Sequence, residues 1–170
     1  MKKLIFISLL FSILSLSVSA QKPTKAEKAA QLEQEFQQTR QLIESNHFQF
    51  ELNRVYPQDG QDLSRFNPRG KFVITDSVAK GTLPFFGRAY SLPYGEGGGI
   101  EFDGVMKDQS LKIEHKKKRK ILIYRFSITA KNDTYQISME ISGGGNCSVN
   151  LNSNNRAQIS YSGTVSPVKD

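Results

Sequence analysis

ILIYRFSITA-KNDTYQISME-ISGGGNCSVN-LNSNNRAQIS-YSGTVS, residues 121–166, decides the fold of this chain. Apolar residues fall at every second position in four successive runs. The first holds Leu122, Tyr124, Phe126, Ile128 and Ala130, and the second Tyr135, Ile137, Met139 and Ile141. Cys147, Val149 and Leu151 form the third, and Ile159, Tyr161 and Val165 the fourth. A period of two puts these side chains on one face of an extended strand and the intervening polar residues on the other. The breaks are turn formers: Asn132-Asp133, Gly143-Gly144-Gly145-Asn146 and Asn154-Asn155, whose residue types tolerate positive φ. Four strands joined by short turns predict an antiparallel meander with one wet and one dry face.

Upstream, Phe48, Phe50 and Leu52 alternate with polar neighbours as a half-buried strand should. Pro57-Gln58-Asp59-Gly60 is a turn, and the polar stretch to Pro68-Arg69-Gly70 reads as loop. Residues 71–75 form a short strand, Ile100 and Phe102 mark another, and Leu111 and Ile113 a third. Residues 21–46 keep a helical period instead. Ala29, Leu32, Phe36, Thr39 and Ile43 make one narrow apolar stripe, and Thr24-x-x-Glu27 fits a capping box after Pro23. No segment after residue 47 offers a crossover helix for a parallel sheet. The expected fold is mainly β: an N-terminal α-helix over 21–46, an antiparallel meander of seven to nine strands over 47–166, and a tail at 167–170. The sheet closes as a β-sandwich or a lipocalin-like barrel.

The first twenty residues read as an export signal. Lys2 and Lys3 precede an apolar run at residues 4–16, and Val18-Ser19-Ala20 supplies small residues for cleavage after Ala20. The run is shorter than the ~20 apolar residues a spanning helix needs, so no transmembrane segment is expected after cleavage. Gln21, not cysteine, follows the cleavage point, which argues against a lipoprotein. The product is expected in the periplasm or outside the cell. Cys147 is the single cysteine; an exported chain with one thiol forms no internal disulfide, so its core must hold the fold alone. The formal net charge of +7, two of it from Lys2 and Lys3, suits a soluble domain with some attraction to anionic surfaces. It is too small to mark a nucleic-acid binder.

Catalytic chemistry finds little support. His47 and His115 are far apart and fit no metal-ligand spacing. No Gly-x-Ser-x-Gly or Ser-x-x-Lys motif is present. Glu101, Asp103 and Asp108 lie close in sequence, but a glycosidase pair is defined by separation in space. No cofactor or metal is expected. Two surfaces remain. Lys116, Lys117, Lys118, Arg119 and Lys120 form a basic hairpin tip, which reads first as a solubilising turn that discourages edge pairing and otherwise as a contact for an anionic surface; without interleaved aromatics it does not suit nucleic acid. The irregular stretch 83–94 carries two prolines and four aromatics. Its Phe85, Phe86, Arg88 and Tyr90 either cap an open end of the sheet or line a concave site, with Arg88 meeting an anionic group.

Leu83-Pro84-Phe85-Phe86-Gly87-Arg88-Ala89, Gly98-Gly99-Ile100-Glu101-Phe102 and Arg156-Ala157-Gln158-Ile159-Ser160-Tyr161-Ser162-Gly163 resemble the secreted bacterial family called domain of unknown function 4251, over residues 30–166. The resemblance implies export in gram-negative bacteria of the Bacteroides type and a small β-rich domain. It carries no catalytic residues. Together these readings describe an exported, non-enzymatic envelope domain that binds an apolar or anionic envelope ligand or partner. Its rivals are an interaction subunit using the Ala29–Ile43 stripe or a strand edge, and a hydrolase whose acidic pair is hidden in sequence.

Overall fold

A computed structural model describes residues 24–91, 98–116, 119–130 and 133–169. The chain divides into two compact units, Met1–Gln31 and Leu32–Asp170. In the first, the described residues 24–31 open helix α1 (Lys25–Glu44). The expected capping box is there: Thr24 N donates to Glu27 Oε2 at 2.7 Å, and Glu27 N donates to Thr24 Oγ1 at 3.2 Å. The leader assigned to residues 1–20 lies outside the described residues.

The second unit is an eight-stranded antiparallel barrel. Its strands are β1 (His47–Pro57), β2 (Lys71–Thr75), β3 (Val78–Leu83), β4 (Ile100–Lys116), β5 (Arg119–Thr129), β6 (Thr134–Ser142), β7 (Asn146–Ser153) and β8 (Ile159–Pro167). Each pairs with the next in sequence, and β8 pairs back onto β1, from Phe48 against Pro167 to Pro57 against Ile159. The helix-then-meander expectation holds, and of the two closures considered it is the barrel that forms. Eight strands leave an interior just wide enough for side chains or one small ligand. Here rings fill it. Phe50 stacks on Phe72 at 5.0 Å, Phe72 meets Phe102 at 5.8 Å, and Phe102 meets Tyr135 at 6.2 Å. A second chain links Phe48, Tyr124 and Phe126 at 6.2 and 5.5 Å. All seven residues are buried, and each such burial stabilises by roughly 1.5–3 kcal/mol.

The strands expected at Ile100–Phe102 and Leu111–Ile113 are one long strand, β4, which changes partner along its length. Residues through Val105 pair with β3 and those from Met106 with β5. A register shift between Lys107 and Ser110 accommodates the change, with Asp108 at a φ of +53°. Strand β3 has little apolar alternation because two of its inward positions, Ala79 and Gly81, are small, leaving Leu83 as the one large inward residue. A Cβ on Gly81 would strike the Cβ of Phe72, and one on Gly163 of β8 would strike the Glu51 carbonyl and the Phe50 ring. These two glycines are the places where the wall approaches the stacked rings too closely for any side chain.

Within this unit the α1 residues Phe36, Thr39 and Ile43 are buried, and Phe36 and Ile43 join the barrel core. Lys120 Nζ lies 2.9 Å from both Glu33 carboxylate oxygens and 5.6 Å from the Phe36 ring centre. Leu32, expected on the same stripe, is 63% exposed. Asn46, at a φ of +49°, follows the helix, and its Oδ1 lies 3.1 Å from Tyr124 Oη. Burial pushes the Tyr124 phenol up to about 12. Cys147 is 3% exposed, in the core where its alternation with Val149 and Leu151 predicts it; burial pushes its thiol up as well.

Candidate functional site

Residues 84–91 of the aromatic stretch cross the barrel mouth where β3 and β7 end and β4 and β8 begin; residues 92–94 lie outside the described residues. Pro84 ends the β3 ladder, having no N–H to donate, and its carbonyl accepts from Tyr161 Oη at 2.9 Å. The chain then pairs with the residues preceding β8. Ala157 N donates to the Arg88 carbonyl at 2.9 Å, Ala89 bridges Arg156, and Tyr90 N donates to the Asn155 carbonyl at 2.8 Å. The four residues singled out in sequence therefore separate. Phe85 and Phe86 are half-buried and packed on the core, whereas Arg88 is exposed and Tyr90 is 62% exposed on the rim.

A different arginine lies beneath this lid. Arg156 is 5% exposed, with its guanidinium carbon 5.2 Å from the Phe85 ring centre and Nη1 donating to the Gly98 carbonyl at 3.2 Å. Its Nε lies 4.0 Å from Asp133 Oδ2 and has no hydrogen-bond partner among the described residues. Asp133 in turn accepts from Thr134 N at 2.8 Å and from Ser153 Oγ. Arg156 thus ties the lid, the β5–β6 turn and the β7–β8 connection together at one buried charge. Its position between turn asparagines and a strand gives it no periodic signal, so alternation does not find it.

The basic hairpin tip is partly neutralised by its own fold. Lys116 Nζ lies 2.8 Å from Glu140 Oε2, and that bond raises the lysine's pKa. Lys120 bonds Glu33 and holds that carboxyl below its ordinary value. Arg119 is exposed, and Lys117 and Lys118 lie outside the described residues. The partners are 24 and 87 residues away in sequence, beyond the reach of local pattern reading.

A further concavity lies on the outer wall. A groove of about 1050 Å³ runs over the outward faces of β1–β4. Val73 gives it apolar surface, together with Leu52, Phe102 and Ala130, which also belong to or pack on the barrel core. Two of its ion pairs are closed: Lys80 to Asp103 at 2.7 Å, and Glu51 to Lys169 at 3.7 Å. Arg69 and Lys71, on the same groove, have no ion pair among the described residues. Neither was distinguished in sequence, since one sits in a polar loop and the other opens a strand. His47 and His115 are both exposed. Among the described residues no three His, Cys, Asp or Glu side chains gather to hold a metal, and no described helix is long and apolar enough to cross a membrane.

A family model described as "Domain of unknown function (DUF4251)" matches residues 30–165. Among solved structures, the chain is similar to a DUF4251 family protein from Bacteroides eggerthii DSM 20697. The TM-score is 0.57 at 21% identity, covering 82% of this chain and 91% of that one. At that identity the likeness speaks for the fold alone. No curated protein matches the chain.

Proposed function

The chain belongs to the DUF4251 family of domains of unknown function, and on its geometry we propose that it is an exported, non-enzymatic binding domain of the cell envelope that holds an anionic amphiphile on its outer wall. The observation that carries this reading is the pairing of a ring-filled interior with an outer groove in which two cations, Arg69 and Lys71, have no ion pair among the described residues and lie beside apolar surface. An acyl chain suits Val73 and Ala130, and an anionic head suits the two cations. Of the other charges of the groove, Lys80 and Asp103 pair with each other and Glu51 with Lys169, which leaves Glu101 as one carboxylate set against the two cations. Arg88, exposed on the neighbouring rim, adds to the positive field an anion meets. Export rests on the composition of residues 1–20.

Calorimetric titration of the full chain with laurate and with dodecanol tests this reading. Laurate is expected to bind at least about tenfold more tightly, the equivalent of ~1.4 kcal/mol. The double variant Arg69→Glu/Lys71→Glu should abolish that preference. Equal binding of acid and alcohol, or laurate binding unchanged by the charge reversal, would overturn the reading. A second reading, association through the helix stripe, is favoured only by the exposed Leu32. Light scattering that gives the same mass for the wild type and Leu32→Glu would dispose of it.

A further inference from the structure

The opposite wall of the barrel has a different chemistry. Outward positions on β6, β7 and β8 are Gln136, Ser138, Glu140, Ser148, Asn150, Asn152, Ser160, Ser162 and Thr164. The only charge in that set, Glu140, is already paired with Lys116. A wall that only needed to stay wet would be served by the lysines and carboxylates that β2–β4 use; this one presents short amides and hydroxyls instead. Cross-strand register lines them up, with Ser127 opposite Gln136 and Gln136 opposite Asn152. Directly opposed residues have Cβ atoms about 5 Å apart, so these side chains form a continuous row.

At the β5 end of the row the bulge in β4 adds Asp108. Its positive φ is a conformation that Asp and Asn tolerate better than most residues. Ser127 Oγ donates to Asp108 Oδ2 at 2.9 Å, which fixes one carboxylate oxygen and leaves the other available. Arg125, one step along β5, uses Nε on Ser138 Oγ at 3.3 Å, leaving the guanidinium fork open. The Gln136 and Asn152 amides have no partner among the described residues. These four residues border a depression of about 330 Å³, the lower end of the ~300–1,000 Å³ range of small-ligand sites.

We infer that this depression is a sugar-binding site, in which Asp108, Arg125, Gln136 and Asn152 hold one unit of a neutral glycan chain. Neighbouring hydroxyls on a sugar ring each donate and accept. An amide does both, a carboxylate oxygen accepts, and a guanidinium donates in a fork, so the four side chains match a set of adjacent hydroxyls. The single negative and single positive charge cancel, which favours an uncharged ligand over a phosphate or an ammonium. A protein partner would call for a desolvated centre with aromatic anchors, and this wall offers none. Contacts of this exposed kind are individually weak, so avidity along a polymer is the natural mode of use.

Two-dimensional 15N–1H NMR of the full chain, titrated with maltohexaose, mannohexaose and xylohexaose, tests the site. With at least one of them, shifts should cluster at residues 108, 125, 136 and 152. Gln136→Ala/Asn152→Ala should weaken that binding by at least about tenfold, with an unchanged melting curve because both positions are exposed. Asp108→Asn, which keeps the tolerated backbone conformation, should also weaken it. No localised shift with any of the three sugars would overturn the inference. So would shifts that survive the double variant, or shifts confined to the β1–β4 groove. None of these outcomes bears on laurate binding, since the two sites lie on different walls.

Discussion

The halves β1–β4 and β5–β8 build one interior by the same rule and differ in almost everything outside it. In β5–β8, hairpins follow one another with short turns, and the outer wall is amide and hydroxyl with one paired carboxylate among β6–β8. In β1–β4, the strands are uneven in length, with long connections from β1 to β2 and from β3 to β4 but a two-residue turn from β2 to β3. A groove of about 1050 Å³ there carries ion pairs and two cations with no ion pair among the described residues. A barrel interior admits little variation, because each inward side chain must fit its neighbours at crystal-like density. The outer wall is free of that demand. Differences between the halves therefore point to their surfaces as the place where binding is specified.

The halves meet at the Arg156 clamp, and breaking it should produce the largest effect. Arg156→Met leaves Asp133 buried without its cation, at a cost of about 3 kcal/mol or more. Pairing that substitution with Asp133→Leu should recover part of the loss in urea denaturation. If the single variant proved as stable as the wild type, the lid would not be holding the halves together. The next effect concerns the shared interior. Gly81→Val in one half and Gly163→Val in the other should each lose about 1–3 kcal/mol or more by overpacking against Phe72 and Phe50. Gly98→Ala, where no atom lies within 4 Å of the added Cβ, should change the unfolding midpoint little. Similar midpoints for all three would mean the rings are not close-packed.

These substitutions also mark what sequence can and cannot reveal. The β5–β8 half is legible because its inward positions are large and strictly alternating, from Leu122 to Val165. β3 is not, because Ala79 and Gly81 are small exactly where Phe72 crowds the wall, so contact removes the very signal that would announce a strand. The single long β4 is concealed by its bulge, which shifts the alternation partway along. The lid residues Phe85 and Phe86 stand out by composition, but which arginine lies under them does not. Arg88 and Arg156 are distinguished only by a strand pairing that brings residues 88 and 157 together. The groove cations Arg69 and Lys71 become visible only once four strands lie side by side.

Two smaller effects depend on pH. Burial raises the Cys147 thiol pKa in the folded chain. Unfolded thiols lose their protons near pH 8.5, so the folded state binds the extra proton above that pH, and stability should fall as pH rises further. Cys147→Ala should flatten this alkaline slope, and iodoacetamide should label Cys147 in urea but not in buffer. A rapid reaction in buffer would contradict the buried position. The smallest effect is at Glu33, whose carboxyl is held down by Lys120. Its contribution is present above the ordinary carboxylate range and fades as pH falls through the depressed value. Exposed pairs are weak, so Glu33→Gln should only slightly reduce the acid sensitivity of helix amide exchange.

The central claim is that ligands meet the outer wall of β1–β4 while the interior stays closed by its own rings. Methyl and aromatic NMR of the full chain with laurate tests it most directly. The account predicts shifts and intermolecular contacts at Val73 and Ala130, with the signals of Phe48, Phe50 and Phe72 unmoved. Contacts from laurate to those three rings would contradict it.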